Sequence, residues 1–497
     1  MRALSELVFH NTYSELPSDF GTRVTPQPLS DPFLVSVNPQ ICTLLELDPA
    51  QAQTDFFIDL FTGNDELAGF DPIAMKYTGH QFGQYNPALG DGRGLLMGEV
   101  LTSEGNKWDI HLKGAGMTPY SRQGDGRAVL RSSIREYLAS AAMHGLGIRT
   151  THALAVLSST TPVYREKVER GATLIRVAES HLRFGHFEYL FYTDKHGDLK
   201  LLADYLIQHH FPDLLADESL QEHTQPDRYA AMFHRIVSLT AEMIADWQAV
   251  GFAHGVMNTD NMSVLGLTFD YGPYGFLDDY QPGFICNHSD YSGRYAFNQQ
   301  PSIALWNLSA LGYALSPLID KELIDEALNT YQPQLQQYYS IRMRSKLGLQ
   351  EQLPQDSQLF SDMFALLAHQ AADYTLFFRT LSEIPRAELA QSAHQFESFF
   401  GCTQSLSVWL AQYAARLNNE TQTDTLRLAA MKAANPKFIL RNYLAQQAID
   451  AAEQGDFTMI EQLLQVLAAP FEEHPDYAHF AAVPPQWGKE LEISCSS

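Results

Sequence analysis

The period of the hydrophobic pattern changes once along this 497-residue chain, near residue 200. From Met75 to about Tyr192 short apolar runs alternate with Gly-rich turns. From about Leu201 to the end, apolar residues recur at helical spacing. The first part reads as a β-rich lobe. Gly90-Asp91-Gly92-Arg93-Gly94 leads into Leu95–Leu101, a Ser-Glu-Gly-Asn turn follows, and Trp108–Lys113 returns, which is a hairpin signal. After Gly124-Asp125-Gly126-Arg127 the spacing of Leu130, Ile134 and Leu138 predicts a helix, with Asp125 as its N-cap and Gly145 or Gly147 at its end. The second part predicts helices over 229–251, 302–315, 319–345, 357–383, 386–400, 405–417, 424–434 and 437–454. The expected architecture is α+β and bilobal: an N-terminal extension over 1–70 packed on the body, a β-rich lobe over 71–197 and a helical lobe over 198–497. Asp194–Lys200 is the best hinge candidate, and no stretch reads as a flexible linker.

Between the helix ending at Gly251 and the next one lies HGVMNTDNMSVLGLTFDYGP, His254 to Pro273. Asp260-Asn261 and Asp270 flank an apolar run read as a short strand or hairpin, which places oxygen ligands at both ends of one small element. Such a set suits a hard cation such as Mg²⁺. Asp and Asn also form turns for purely local reasons, so a polar turn between buried strands is the alternative. Upstream, the glycine loop with Arg93 could approach a phosphate through its backbone N–H groups, or be a tight turn. Glu136 borders the apolar face of its helix, where an unpaired acid is costly, and Lys113 is the available partner; the alternative is a solvated helix acid. Arg176 and Arg183 lie in apolar surroundings, either clamping an anion or making structural ion pairs.

Composition narrows the classes. A net charge of −25, from 33 basic and 58 acidic residues, opposes general binding to nucleic acid or an anionic membrane. No run of eighteen apolar residues predicts a membrane span, and residues 1–30 lack the pattern of a secretory signal. Four scattered cysteines without a Cys-x-x-Cys pair argue against structural zinc and suit a reducing cytoplasm. No His-Glu-x-x-His pair supports a metallohydrolase.

The order Lys113, Glu136, Asp260-Asn261, Asp270-Tyr271-Gly272 resembles that of a protein kinase. The closer resemblance, carried by Gly90–Gly94, LKGAGMTPYSRQGDGRAVLRSSIREYL, HGVMNTDNMSVLGLTFDYGP and NPKFILRNYLAQ, is to the selenoprotein O family. It spans most of the chain and implies a kinase-like fold without the usual catalytic aspartate. In register with the kinase catalytic loop, the position of that aspartate holds Val256, which accepts no proton.

The resemblance implies AMP transfer from ATP, or UMP transfer from UTP, to Ser, Thr or Tyr hydroxyls of proteins. In that reading Gly90, Gly92, Arg93, Lys113, Asp125, Gly126, Arg176, Arg183 and Asp270 bind nucleotide. Arg176 and Arg183 meet the terminal phosphate, Glu136 holds Lys113, Asn261 and Asp270 ligate Mg²⁺ or Mn²⁺, and Asp260 is the base. Asp125 and Gly126 are expected at a helix start, where N–H groups favour anions. Cys495, third from the end, would stand where animal members carry selenocysteine, and could pair with Cys286. A phosphotransferase and an inactive nucleotide-binding scaffold are the competing functions.

Overall fold

The computed structural model describes residues 1–216 and 225–493. Among these, twelve strands are β1 (Gly21–Arg23), β2 (Phe33–Val37), β3 (Ile73–Met75), β4 (Gly79–Gln81), β5 (Gln84–Asn86), β6 (Gly94–Leu101), β7 (Lys107–Lys113), β8 (Ala128–Val129), β9 (His152–Tyr164), β10 (Val168–Ala178), β11 (Phe252–Ala253) and β12 (Gly275–Phe276). Eight of them form one sheet in the order β1-β3-β6-β7-β10-β9-β2, with β8 beside β10. Its pairs are antiparallel. Mixed helix and sheet, with an antiparallel β lobe followed by a helical one, is the architecture of the kinase-like fold.

Alternation along the strands decides what faces where, because successive side chains point to opposite faces. On β7, Ile110 and Leu112 join Ile175 and Val177 of β10 in a core completed by Ile41, Phe57 and Phe61. Residues 1–70 thus cover that face, and they also supply the sheet's two outer strands, β1 and β2. Strands of three and five residues carry too short a pattern to be read from sequence. The opposite face takes Leu174 and Val156, which share a core with Ile134 and Leu138 of the Leu130–Gly145 helix. His111, Lys113 and Arg176 follow the same alternation and turn away from Ile110, Leu112, Ile175 and Val177.

The helical part departs from the expected spans in four places, one of them 437–454, where the helix starts only at Asn442. The stretch 357–383 is two helices, Asp356–Gln370 and Tyr374–Leu381, broken where Ala371 takes φ +46°. The 386–400 segment forms 3₁₀ turns at Arg386–Gln391 and Ala393–Phe396 instead of an α-helix. The hinge candidate Asp194–Lys200 is largely the first turn of the His196–His210 helix. Among the described residues no helix is long and apolar enough to cross a membrane.

Candidate active site

Between the lobes a cavity of about 360 Å³ is lined by Gly90, Gly92, Arg93, Lys113, Asp125, Gly126, Arg176, Arg183, Asp260 and Asp270, all singled out from the sequence. Seven lysine and arginine side chains line it against four aspartates. In a chain of net charge −25 this local inversion suits a polyanion.

The Lys113 ammonium pairs with Glu136 Oε2, and the other carboxylate oxygen of Glu136 accepts from Arg176 Nε at 2.5 Å. Arg176 Nη2 goes on to Asp270 Oδ1 at 2.7 Å. Arg183 Nη1 donates both to Asp270 Oδ2, at 3.0 Å, and to the Asp260 carbonyl, at 2.9 Å. One guanidinium nitrogen therefore ties together the two ends of the Asp260–Asp270 loop. Arg176 and Arg183 both clamp an acid here, as the salt-bridge alternative required, while still lining the cavity.

These contacts set the charge states. Burial opposes ionisation of Asp270, but Arg176, Arg183 and Lys113 hold it well below the usual carboxylate range. Burial lowers Lys113 to about 8 despite Glu136, with Arg176 and Arg93 adding to the effect. Asp260 is the reverse: burial pushes it up to about 7, opposed by Arg183 and helped by Asp270. Among the described residues its Oδ1 is buried without a hydrogen-bond partner, and its Oδ2 accepts only a long bond, 3.4 Å, from Gln81 Nε2.

The loop between Asp260 and Asp270 corrects one expectation. Its apolar residues form no strand; two isolated bridges, Arg183 with Ser263 and Thr150 with Thr268, are its only ladder contacts among the described residues. Val264, Leu265, Leu267 and Phe269 are each buried in the body or beside it. Tertiary contacts, not a ladder, hold the run. The turn is tight enough that Asp270 takes φ +64°, a strained conformation for a non-glycine residue of the kind found at functional sites.

A second correction concerns Asp125. The helix starts at Leu130, its N-cap is Val129 with no side-chain cap, and β8 intervenes. Asp125 instead accepts from the Arg127 N–H at 2.9 Å and pairs with Arg165 at 2.7 Å. Asp125 and Gly126 line the cavity from a loop, not from a helix start. The loop's shape depends on Gly126, at φ +69°, where a Cβ would lie 2.0 Å from the Gly116 carbonyl oxygen. Gly126→Ala is therefore expected to cost about 1–3 kcal/mol and to weaken nucleotide binding, both readable as thermal unfolding with and without ATP.

Sequence reasoning missed Asp91 and His111. Asp91 sits inside the glycine loop and looks like a turn residue, yet it accepts from His111 Nε2 at 3.0 Å, Tyr77 OH at 3.2 Å and the Met75 N–H at 3.2 Å. Burial works against its ionisation, but the His111 ring and Arg183 outweigh that and lower it to about 2. His111 had a signal of its own, the alternation that puts it on the face of Lys113.

For a cation the donor chemistry fits. Asn261 uses its amide nitrogen on the Val256 carbonyl at 3.1 Å and keeps a carboxamide oxygen, and Arg176, Arg183 and Lys113 favour the charged carboxylate of Asp270. Oxygen donors alone select a hard ion. Among the described residues no group of three His, Cys, Asp or Glu side chains forms a metal cluster. Cys286 packs beside Ala253 and Gly255, its Sγ 3.5 Å from the Ala253 carbonyl oxygen. The proposed partner Cys495 lies outside the described residues.

Comparison with known proteins follows the geometry. The family described as Protein adenylyltransferase SelO matches residues 3–468. The chain is 70% identical to Protein nucleotidyltransferase YdiU of Photobacterium profundum over the full length of both. It is 53% identical to the protein of that name in Myxococcus xanthus, again over the full length of both, and 54% identical to that of Aliivibrio salmonicida.

Proposed function

The chain belongs to the SelO family of protein nucleotidyltransferases, and on that premise we propose that it transfers AMP from ATP to Ser, Thr or Tyr hydroxyls of acceptor proteins. The observation that carries this reading is Asp260, a buried carboxylate with one unpartnered oxygen at the edge of a cationic cavity, where the kinase-like base position is Val256.

The residues divide the work by chemistry. The backbone of the Gly90–Gly94 and Gly126 loops, with Arg93, accepts the nucleotide. Lys113, fixed by Glu136, meets phosphate oxygens. Arg176 and Arg183, now on Asp270, are close enough to the cavity to exchange that carboxylate for the terminal phosphate. Asp260 takes the proton of the acceptor hydroxyl, whose oxygen attacks the α-phosphorus, and pyrophosphate leaves. The leaving group gains negative charge as the bond breaks, and fixed cations lower the barrier by meeting it. Asn261 and Asp270 would hold Mg²⁺ or Mn²⁺, which supplies Lewis-acid stabilisation of the phosphates.

UMP transfer from UTP is the same chemistry and belongs to the same proposal, as does a cytoplasmic setting. So does a Cys286–Cys495 pair, which the His288 N–H supports by bonding the Ile493 carbonyl at 2.8 Å, two residues from each cysteine. The test incubates the protein and Mn²⁺ or Mg²⁺ with ATP labelled at the α or the γ position, and with α-labelled UTP. Protein-bound α label with no γ label is expected. Label arriving only from the γ position would make the protein a phosphotransferase, and none at all would leave a nucleotide-binding scaffold.

A further inference from the structure

Gly79 to Asn86 forms the small hairpin β4–β5, separate from the main sheet, and it lies directly on the catalytic loop. A Cβ at Gly79 would meet the Asp260 N and Thr259 Oγ1 at 2.9 Å. The His80 N–H donates to Thr259 Oγ1 at 2.6 Å, and the Phe82 N–H to Tyr295 OH at 2.9 Å. Gln81 reaches inward to the Asp260 carboxylate. Its amide is oriented, because Asn86 Nδ2 donates to Gln81 Oε1 at 3.0 Å and Asn86 Oδ1 accepts from the Ala88 N–H at 3.0 Å. The nitrogen of Gln81 is thereby left for Asp260.

The outward side of the same hairpin is aromatic. Phe82, at its tip, is 43% exposed and takes φ +49°, an outlier for a bulky residue. Its ring lies 5.1 Å from that of Tyr295. The Arg294 guanidinium lies against the hairpin at Gly83, 3.2 Å from where a Cβ would be, and 4.9 Å from the Trp306 ring. Trp306 meets His80 at 5.2 Å, and Tyr85 and Tyr192 continue the band. Phe82, Trp306 and Tyr192 are each more than one-third exposed. Among the described residues no carboxylate forms an ion pair with Arg294, in a chain with 25 more acids than bases. Contiguous exposed aromatics with arginine have the composition of a binding surface rather than of ordinary solvent-facing surface.

We propose that the β4–β5 hairpin is the acceptor platform: an extended polypeptide segment lies across Phe82 and the Trp306–Arg294 stack and delivers its hydroxyl to Asp260, which Gln81 holds from the hairpin's other side. The inference rests on the nucleotidyl-transfer reading, since that reaction requires a polypeptide hydroxyl at Asp260. The hairpin that carries the band also reaches the Asp260 carboxylate through Gln81, so a chain seated on it passes the base, which makes the acceptor chain the occupant. Its chemistry follows: an aliphatic or aromatic side chain near the hydroxyl for Phe82, and an acidic one for Arg294.

The experiment uses the full chain, α-labelled ATP, Mn²⁺ and two synthetic peptides with a central tyrosine, one flanked by leucine and glutamate and the other by leucine and lysine. Wild type is expected to prefer the glutamate peptide. Phe82→Ser should raise the KM for both peptides by about tenfold, as for an aromatic anchor, and Arg294→Glu should reverse the glutamate-over-lysine preference. The ATP-induced rise in unfolding temperature of each variant should match that of wild type, which separates loss of the platform from misfolding. Labelled peptides with wild-type KM in Phe82→Ser and wild-type preference in Arg294→Glu would overturn the platform alone. Absence of α label from every wild-type reaction would overturn the transfer reading and the platform with it.

Discussion

Asp260→Asn is expected to lower nucleotidyl transfer by about 10²–10⁴-fold, the range for losing a general base, while nucleotide still binds. The separation of the two effects follows from which atoms of Asp260 are used. Arg183 grips the Asp260 backbone carbonyl, not its carboxylate, so the substitution leaves that arginine and its bond to Asp270 in place. The carboxylate has no cationic partner within ion-pair distance among the described residues; it accepts only from Gln81. Asparagine preserves the shape and can still accept that bond, but it does not take the proton of a hydroxyl. Val256 offers no substitute at the position a kinase uses. Initial rates of α-label incorporation, alongside the ATP-induced shift in unfolding temperature, check both halves. A variant within tenfold of wild type would remove Asp260 from the mechanism.

The parts of this site legible in the sequence are those where a charge stood against a strong local pattern. Glu136 beside an apolar helix face and Lys113 ending a strand could be matched because the strand and helix lie close in the chain. Arg176 inside an apolar run announced a buried partner, but nothing local could say that it would bridge Glu136 and Asp270. That bridge exists because β10 lies beside β7 with Arg176 opposite His111, a register set by the whole sheet. Gln81 and Asn86 carried no signal, since a hairpin of two three-residue strands has no period to detect and Asn86 is an ordinary turn former. Asp125 misled for a related reason: an acid before a helical pattern looks like a cap, and a two-residue strand between them is invisible to periodicity. The apolar run after Asn261 looked like a strand because burial alone, one side chain at a time, gives the same composition.

Glu136→Ala should have the largest effect on stability. Glu136 is 1% exposed and gives one oxygen to Lys113 and the other to Arg176. Truncation strands two buried cations rather than one, and removing one partner of a buried ion pair costs about 3–5 kcal/mol. Asp270 is left to compensate Arg176 alone, and Lys113, already lowered by burial to about 8, loses the anion that favours its charged form. Glu136→Gln keeps the volume and one acceptor, so it should fall between wild type and alanine in urea midpoint. Acid adds an independent check. Burial raises the Glu136 carboxyl, but Arg176 and Lys113 win and hold it below its ordinary 4.5. A carboxyl with a depressed folded value stabilises above its unfolded value and loses that contribution as pH falls below it. Wild type should therefore lose stability through this group as pH drops below about 4.5, a component that Glu136→Ala lacks. Nucleotide gives the functional signature: ATP brings the anions that Lys113 and Arg176 have lost, so saturating ATP should narrow the gap between alanine variant and wild type if those cations face phosphate. A gap that ATP leaves unchanged would mean that Lys113 and Arg176 only brace the fold.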